Sequence, residues 1–243
     1  MTKENIVQPR LLFGVDSMCR VDNILQNNLT EFEWVIRNKR YPDFWGRHLN
    51  GENCLTADEI IFIHSKGCRI APIYQEAGDK LTADHGRSLA HRVKETALSL
   101  HIPKGTAIFL NVGEENISTE FMAHYAESLL DDGYVPAFKA STDAAYPFDR
   151  EYSRGMQIKR PTFEKCLIWA TAPTLPEFNR VTTTHVILPE LWVPFAPSGI
   201  TRGDIAVWQY GKECHAIHDN AGAQTYFNVD LVKNNRIITQ NMF

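Results

Sequence analysis

Short apolar runs alternate with longer segments of helical period along most of this chain, and that alternation restricts the fold more than any other feature of the sequence. A run too short to be a buried helix, followed by an amphipathic stretch able to cover it, is the signature of an α/β fold with a largely parallel sheet. Eight runs read as strands: residues 11–15, 43–49, 69–74, 107–112, 134–139, 167–170, 184–188 and 205–210. The helical period is clearest over 21–37, 56–66, 81–100 and 118–130. Thr56, followed by Ala-Asp-Glu, makes a capping box, and Gly67 stops that helix. The polar segment 141–160 holds one short helix, and the residues after 210 read as a loop and a C-terminal segment. Eight strands separated by helices in 243 residues fit a TIM-like (β/α)8 barrel, for which about 250 residues is typical. No Gly-x-Gly-x-x-Gly follows the first strand and no phosphate-loop Gly-Lys-Ser/Thr occurs, so a nucleotide-binding open sheet loses its support. The expected fold is α/β, a (β/α)8 TIM-like barrel forming a single domain over residues 1–243.

Composition agrees with one domain and narrows the partners. With 44% hydrophobic and 22% charged residues the chain can bury one substantial core. Its 25 basic and 29 acidic side chains leave a formal charge of -4 with no basic run, so nucleic acid is not an expected partner. Apolar stretches such as 106–110 fall far short of the ~20 residues of a membrane helix, so no membrane span is expected. The opening MTKENIVQPR lacks the apolar centre and cleavage site of a secretory signal. Cytoplasmic retention is therefore the default, and extracellular or cell-wall action requires another export route. The five cysteines are widely spaced without a Cys-x-x-Cys pair, which reads as reduced thiols. Cys214, His215, His218 and Asp219 have the residue types of a metal site without its spacing, and neither metal nor cofactor is expected.

In a barrel the chemistry sits at the C-terminal ends of the strands. Carboxylates recur there: Asp16 after the first, Glu76 after the third, Glu114 and Glu115 after the fourth, with Asp230 downstream of the last. Tyr74, Trp169 and Trp208 fall at the same ends, beside Gln209. Carboxylates next to aromatic faces suit glycoside hydrolysis, in which one acid protonates the leaving oxygen, another stabilises or attacks the oxocarbenium-like centre, and rings stack on sugars. Each acid is alternatively a cap or a loop ion-pair partner, Glu76 and Glu115 most readily. Asp16, directly behind an apolar strand, faces the mouth of any parallel sheet.

Phe13-Gly14-Val15-Asp16-Ser17, Tyr41-Pro42-Asp43-Phe44-Trp45-Gly46-Arg47, Leu55-Thr56-Ala57-Asp58-Glu59-Ile60 and Pro72-Ile73-Tyr74 follow in an order that resembles the glycoside-hydrolase-like barrel domain, related to the family 25 lysozymes. The resemblance continues through Leu100-His101-Ile102-Pro103, Ile108-Phe109-Leu110-Asn111-Val112, Asp132-Gly133-Tyr134, Ile168-Trp169-Ala170 and Val207-Trp208-Gln209-Tyr210-Gly211, covering nearly the whole chain. It implies a bacterial-type barrel acting on, or descended from enzymes acting on, the β-1,4 linkages of peptidoglycan, with acids on strands one and four and near the last. Asp16 matches the first of these, and Asp230 resembles the last. The fourth strand departs from the pattern: where family 25 enzymes carry Asp-x-Glu, this chain has Asn111-Val112-Gly113, with Glu114 one place later. A shift of one residue turns a side chain to the opposite face. Glu114 therefore serves as proton donor only where the strand has ended or bulged, which Gly113 permits, while Asn111 remains able to orient an N-acetyl group.

The expectation is a glycoside hydrolase acting on a peptidoglycan-like or other N-acetylated polysaccharide. Asp16, Glu114 and Asp230 are its catalytic residues, and Tyr74, Glu76, Asn111, Trp169, Trp208 and Gln209 its sugar contacts. The alternatives are a catalytically degenerate barrel that binds carbohydrate or a partner without turnover, and a structural protein that uses the barrel as a scaffold. A Ser hydrolase lacks its Gly-x-Ser-x-Gly. The charged segment 148–155 reads as a solvated helix or as a loop over the mouth whose Arg150 or Arg154 pairs with an acidic substrate.

Overall fold

The computed structural model describes residues 11–38, 40–76, 82–113, 117–178, 189, 191–214 and 227–243. Eight strands close into a barrel in chain order: β1 Leu12–Ser17, β2 Phe44–His48, β3 Arg69–Gln75, β4 Ala107–Gly113, β5 Val135–Ala140, β6 Leu167–Ala170, β7 Val207–Cys214 and β8 Phe227–Val232. The helices are α1 Glu31–Asn38, α2 Ala57–Ser65, α3 Ala83–Ser99, α4 Thr119–Asp131, α5 Pro147–Ile158, α6 Arg160–Phe163 and α7 Asn235–Asn241. Three of them start on hydroxyl caps: Thr56, Thr82 and Ser118 accept from the backbone N–H of Glu59, His85 and Phe121, satisfying donors that the first turn otherwise leaves open. None of the helices among the described residues is long and apolar enough to cross a membrane.

The α/β barrel read from the sequence is present, with one strand reversed. β1 to β7 pair in parallel around the barrel, whereas β8 is antiparallel to both β1 and β7. The run at 205–210 is β7, not the eighth strand, and the chain beyond it supplies β8 and α7 instead of a loop. An antiparallel neighbour needs no crossover to the far end of the barrel, so β8 can follow β7 directly. The candidate strand at 184–188 lies outside the described residues. The helical period over 21–37 is realised only from Glu31 on, because the segment before it doubles back through an antiparallel bridge between Ile24 and Thr30. The polar segment after β5 carries a 12-residue helix, α5, whose charges form surface pairs, Arg150 with Glu151 and Arg154 with Glu120.

Strand alternation sorts the side chains into two compartments. Phe13 and Val15 of β1 face outward into the helix layer, while Leu12 joins Phe44, Ile73, Phe109, Trp169 and Val207 inside the barrel. Two glycines make room for this filling. A Cβ on Gly14 would stand 2.2 Å from the Phe44 ring, and one on Gly46 would stand 2.7 Å from Trp169 and 2.6 Å from the Asp16 Cβ. Replacing Gly14 with Ala is expected to lower stability by about 1–3 kcal/mol through overpacking, measured as the shift of the urea midpoint at unchanged slope. An unshifted midpoint would mean that the Phe44 ring moves freely.

Candidate active site

The apolar filling stops one layer below the C-terminal mouth, and the next inward positions are polar. Asp16 on β1 pairs in register with Asn228 on β8, and Gly14 pairs with Asp230. Asp16 and Asp230 are thus diagonal neighbours on one face of an antiparallel pair, within reach of each other's side chains. Asp16 Oδ1 receives the Lys139 ammonium of β5 at 2.7 Å and a hydrogen bond from Asn228 Nδ2 at 3.0 Å. Asp230 Oδ1 accepts from Trp169 Nε1 at 2.8 Å. Lys139 Nζ also lies 4.6 Å from the centre of the Trp169 ring, which closes the group on itself. The remaining oxygen of each carboxyl is buried without a hydrogen-bond partner among the described residues, and the negative charge of Asp16 acts on Asp230. Two carboxyls buried side by side do not readily ionise together.

The environment separates the two acids. Burial alone would raise Asp16, but the charge of Lys139 and the hydrogen bonds from Lys139 and Asn228 outweigh it and hold the carboxyl below its ordinary value. Asp230 is pushed well above its ordinary value, first by burial and then by the negative charge of Asp16. The surroundings thus favour the charged form of Asp16 and the protonated form of Asp230, the arrangement expected when two carboxyls cannot both ionise. His48, at the end of β2, is driven down to about 4 by burial and then by the Lys139 charge, so it is neutral beside them.

Beside this group opens a cleft of about 500 Å³, lined among others by Lys139, Asn111, Gln209, Asn228, Tyr146 and Phe195. Asn111 donates to Gln75 Oε1 at 2.6 Å, and the buried Gln209 Oε1 has no partner among the described residues. Of the expected site residues, Asp16, Asp230, Asn111 and Gln209 thus come together. The aromatic trio does not. Trp169 is the buried plug beneath the dyad, edge-on to Phe109 at 5.1 Å. Trp208 points away from the barrel axis, donates to the Pro173 carbonyl at 3.0 Å and packs on Trp192. Tyr74 is buried in the outer layer, because it alternates with Ile73, which points inward. Glu76 is held by His85 and Arg92 at 3.2 and 3.1 Å. Glu114 and Glu115 lie outside the described residues. The pairing of β4 with β5 does shift register between Asn111 and Gly113, the irregularity on which a role for Glu114 depends. Sequence reading passed over Lys139 and Asn228. Each ends or alternates within an apolar strand as Asp16 does, and the same logic applied to lysine and asparagine would have found both.

A second buried polar cluster braces the β1 end from outside the barrel. Arg47, fully buried on β2, donates from Nε to Glu59 Oε1 at 2.7 Å, from Nη1 to the Ser17 carbonyl at 2.6 Å and from Nη2 to the Asn53 carbonyl at 2.7 Å. Glu59 Oε1 also accepts the Val21 N–H at 2.8 Å. Glu31 is buried beside them, and burial pushes its carboxyl from 4.5 up to about 7 against the opposing effects of Ser17 and Arg47. A carboxyl raised on folding stabilises nothing above its folded value: between 4.5 and about 7 the native state holds a proton that the unfolded state has released. Stability falls with rising pH across that window by about 3 kcal/mol at 1.36 kcal/mol per unit. His48 opposes it: lowered from 6.5 to about 4, it contributes stability that is present above 6.5 and lost as pH falls. Glu31→Gln should therefore gain about 3 kcal/mol over wild type between pH ~4.5 and pH ~8, read as parallel denaturation curves at the two pH values. A constant difference would contradict a buried proton on Glu31.

No family model matches the chain, and no curated protein matches it. Solved structures do. An uncharacterized protein of B. stearothermophilus superposes with a TM-score of 0.77 at 25% identity, covering 96% of this chain and 100% of that one. A glycosyl hydrolase 25 of Streptococcus pneumoniae superposes with a TM-score of 0.54 at 10% identity over 95% and 92% of the two chains. The bacterial lysozyme of Streptomyces coelicolor does so with a TM-score of 0.53 at 12% identity over 94% and 96%. The closed barrel, traced over almost its full length onto the last two structures, has the fold of the family 25 lysozymes.

Proposed function

We propose that the protein is a glycoside hydrolase that cleaves β-1,4-linked, N-acetylated polysaccharide of the peptidoglycan type in the cleft beside Asp16 and Asp230. One observation carries the reading. The acids of β1 and β8 meet beside the cleft at the C-terminal mouth, Asp16 favoured in its charged form and Asp230 in its protonated form, in the place where a barrel enzyme does its chemistry and on the fold of the lysozymes. Asp16 and Asp230 are diagonal neighbours on one face of the β1–β8 pair, not groups on opposite sides of a glycosidic bond as the separate acid and nucleophile are. They act instead as one unit on one side of the bond: a negative charge for the oxocarbenium-like centre or an acceptor that orients the N-acetyl group. The leaving oxygen needs another proton donor, and Glu114 fills that role in this reading. The amides of Asn111, Gln209 and Asn228 present donors and acceptors to hydroxyl and acetamido groups. Tyr146 and Phe195 replace the buried tryptophans as faces for the sugar.

A second reading rests on the 2.7 Å ion pair between Lys139 and Asp16. An ammonium that neutralises the β1 acid lowers the charge available to a cationic transition state, which suits a barrel that binds saccharide without turnover. The two readings separate on purified protein incubated with peptidoglycan and with chitooligosaccharides. New reducing ends from wild type, with the rate falling about 10²-fold or more in Asp16→Asn, support the hydrolase. Measurable saccharide binding with no new reducing ends supports the binding barrel.

A further inference from the structure

Lys139 is a cation in the polar layer in direct contact with a carboxylate, and neither the fold nor the resemblance to lysozymes assigns it a role. Its Nζ stands 2.7 Å from Asp16 Oδ1, the same oxygen that receives Asn228 Nδ2 at 3.0 Å. Across the pair, Asp230 Oδ1 accepts only the neutral indole N–H of Trp169 at 2.8 Å. The two carboxyls are thus treated asymmetrically: one faces an ammonium and an amide, the other a single weak donor. Their remaining oxygens are buried without a hydrogen-bond partner among the described residues. We propose that Lys139 is a positioning residue that fixes the polarity of the Asp16–Asp230 dyad, keeping the negative charge on the β1 carboxylate and the proton on the β8 acid. The inference deepens the hydrolase reading by stating which member of the dyad presents charge to a sugar, and it stands on the dyad's geometry whether or not a bond is cleaved.

Among the described residues, Asp143 and Lys212 line the cleft beside the dyad, and the groups packed around the dyad come from five strands. Asp16 comes from β1, His48 from β2, Lys139 from β5 and Asp230 from β8, with Trp169 of β6 beneath and Arg47 acting on His48 from behind β2. His48 is neutral above about 4, and Lys139 is a cation in direct contact with the pair. Without it, Asp16 keeps the amide of Asn228 but loses the charge that offsets its burial, and two buried carboxyls without a cation take up a second proton.

The test follows the aspartate side-chain carbons by NMR in protein labelled with carbon-13 at the aspartate carboxyl, so that the buried glutamates stay silent. Wild type should show one aspartate carboxyl in the protonated position at neutral pH, and Asp230→Asn should remove it. Lys139→Met should show a second protonated carboxyl, and Lys139→Arg should restore the single one. A Lys139→Met spectrum unchanged from wild type, or a protonated resonance that survives Asp230→Asn, would overturn the proposal. The second of these outcomes needs no lysine variant, so a poorly folded Lys139→Met leaves the proposal exposed to refutation. Where turnover is detected, the acid limb of its pH profile should move up by one unit or more in Lys139→Met and return in Lys139→Arg. Wild type without turnover but with the expected spectra would sink the hydrolase reading and leave the dyad intact.

Discussion

Replacing Arg47 with Met is expected to cost about 3–5 kcal/mol of stability, because it removes one partner of a buried ion pair and leaves the other charge uncompensated. Both side chains of the Arg47–Glu59 pair are fully buried. The guanidinium also satisfies two carbonyls, Ser17 at the end of β1 and Asn53 in the connection between β2 and α2. Glu31 then loses the nearby positive charge that opposes its burial, so two carboxyls share one buried site without a cation. The measurement is urea denaturation of the two proteins at one pH. A loss below ~1 kcal/mol would place the pair among ion pairs that contribute little. Because Ser17 follows Asp16 directly, the same variant is expected to loosen the dyad as well as the fold.

The barrel was legible because each strand is apolar and each helix amphipathic, and because Thr56 and Ser118 cap where hydroxyls at those positions should. The orientation of β8 was not. Phe227-Asn228-Val229-Asp230 alternates as any half-buried strand does, and alternation carries no information about direction. For the candidate site, Asp16 was readable because its carboxyl follows an apolar run. The tryptophans misled for a related reason. A ring at a strand end serves sugar stacking or core packing equally well in sequence, and the outcome depends on which side of the strand it occupies. Trp208 lies one position from inward-facing Gln209, so it turns outward, and Trp169 faces inward but sits one layer too deep. Lys139 was overlooked because a buried ammonium is costly and rare. It is tolerated here only because Asp16 stands 2.7 Å away and the Trp169 face lies alongside.

The second large effect concerns the proton donor. Glu114→Gln is expected to reduce turnover by about 10²–10⁴-fold, the usual contribution of a general acid, while saccharide affinity stays within a few-fold of wild type. The expectation follows from the register shift of β4 between Asn111 and Gly113, since one extra residue in a strand reverses which side chains face the mouth. Steady-state rates on a chitooligosaccharide, with binding measured separately on the same variant, check it. An unchanged rate would remove Glu114 from the mechanism and return the search for an acid to the dyad itself.

The claim on which the rest depends is that the cleft beside Asp16 and Asp230 hydrolyses a glycan. Digestion of peptidoglycan by wild-type protein in heavy-oxygen water, with the fragments read by mass spectrometry, tests it most directly. Soluble fragments carrying one heavy oxygen at each new reducing end, and lost in Asp16→Asn, are the predicted result. Saccharide that binds wild type but yields no labelled fragment would contradict the hydrolase.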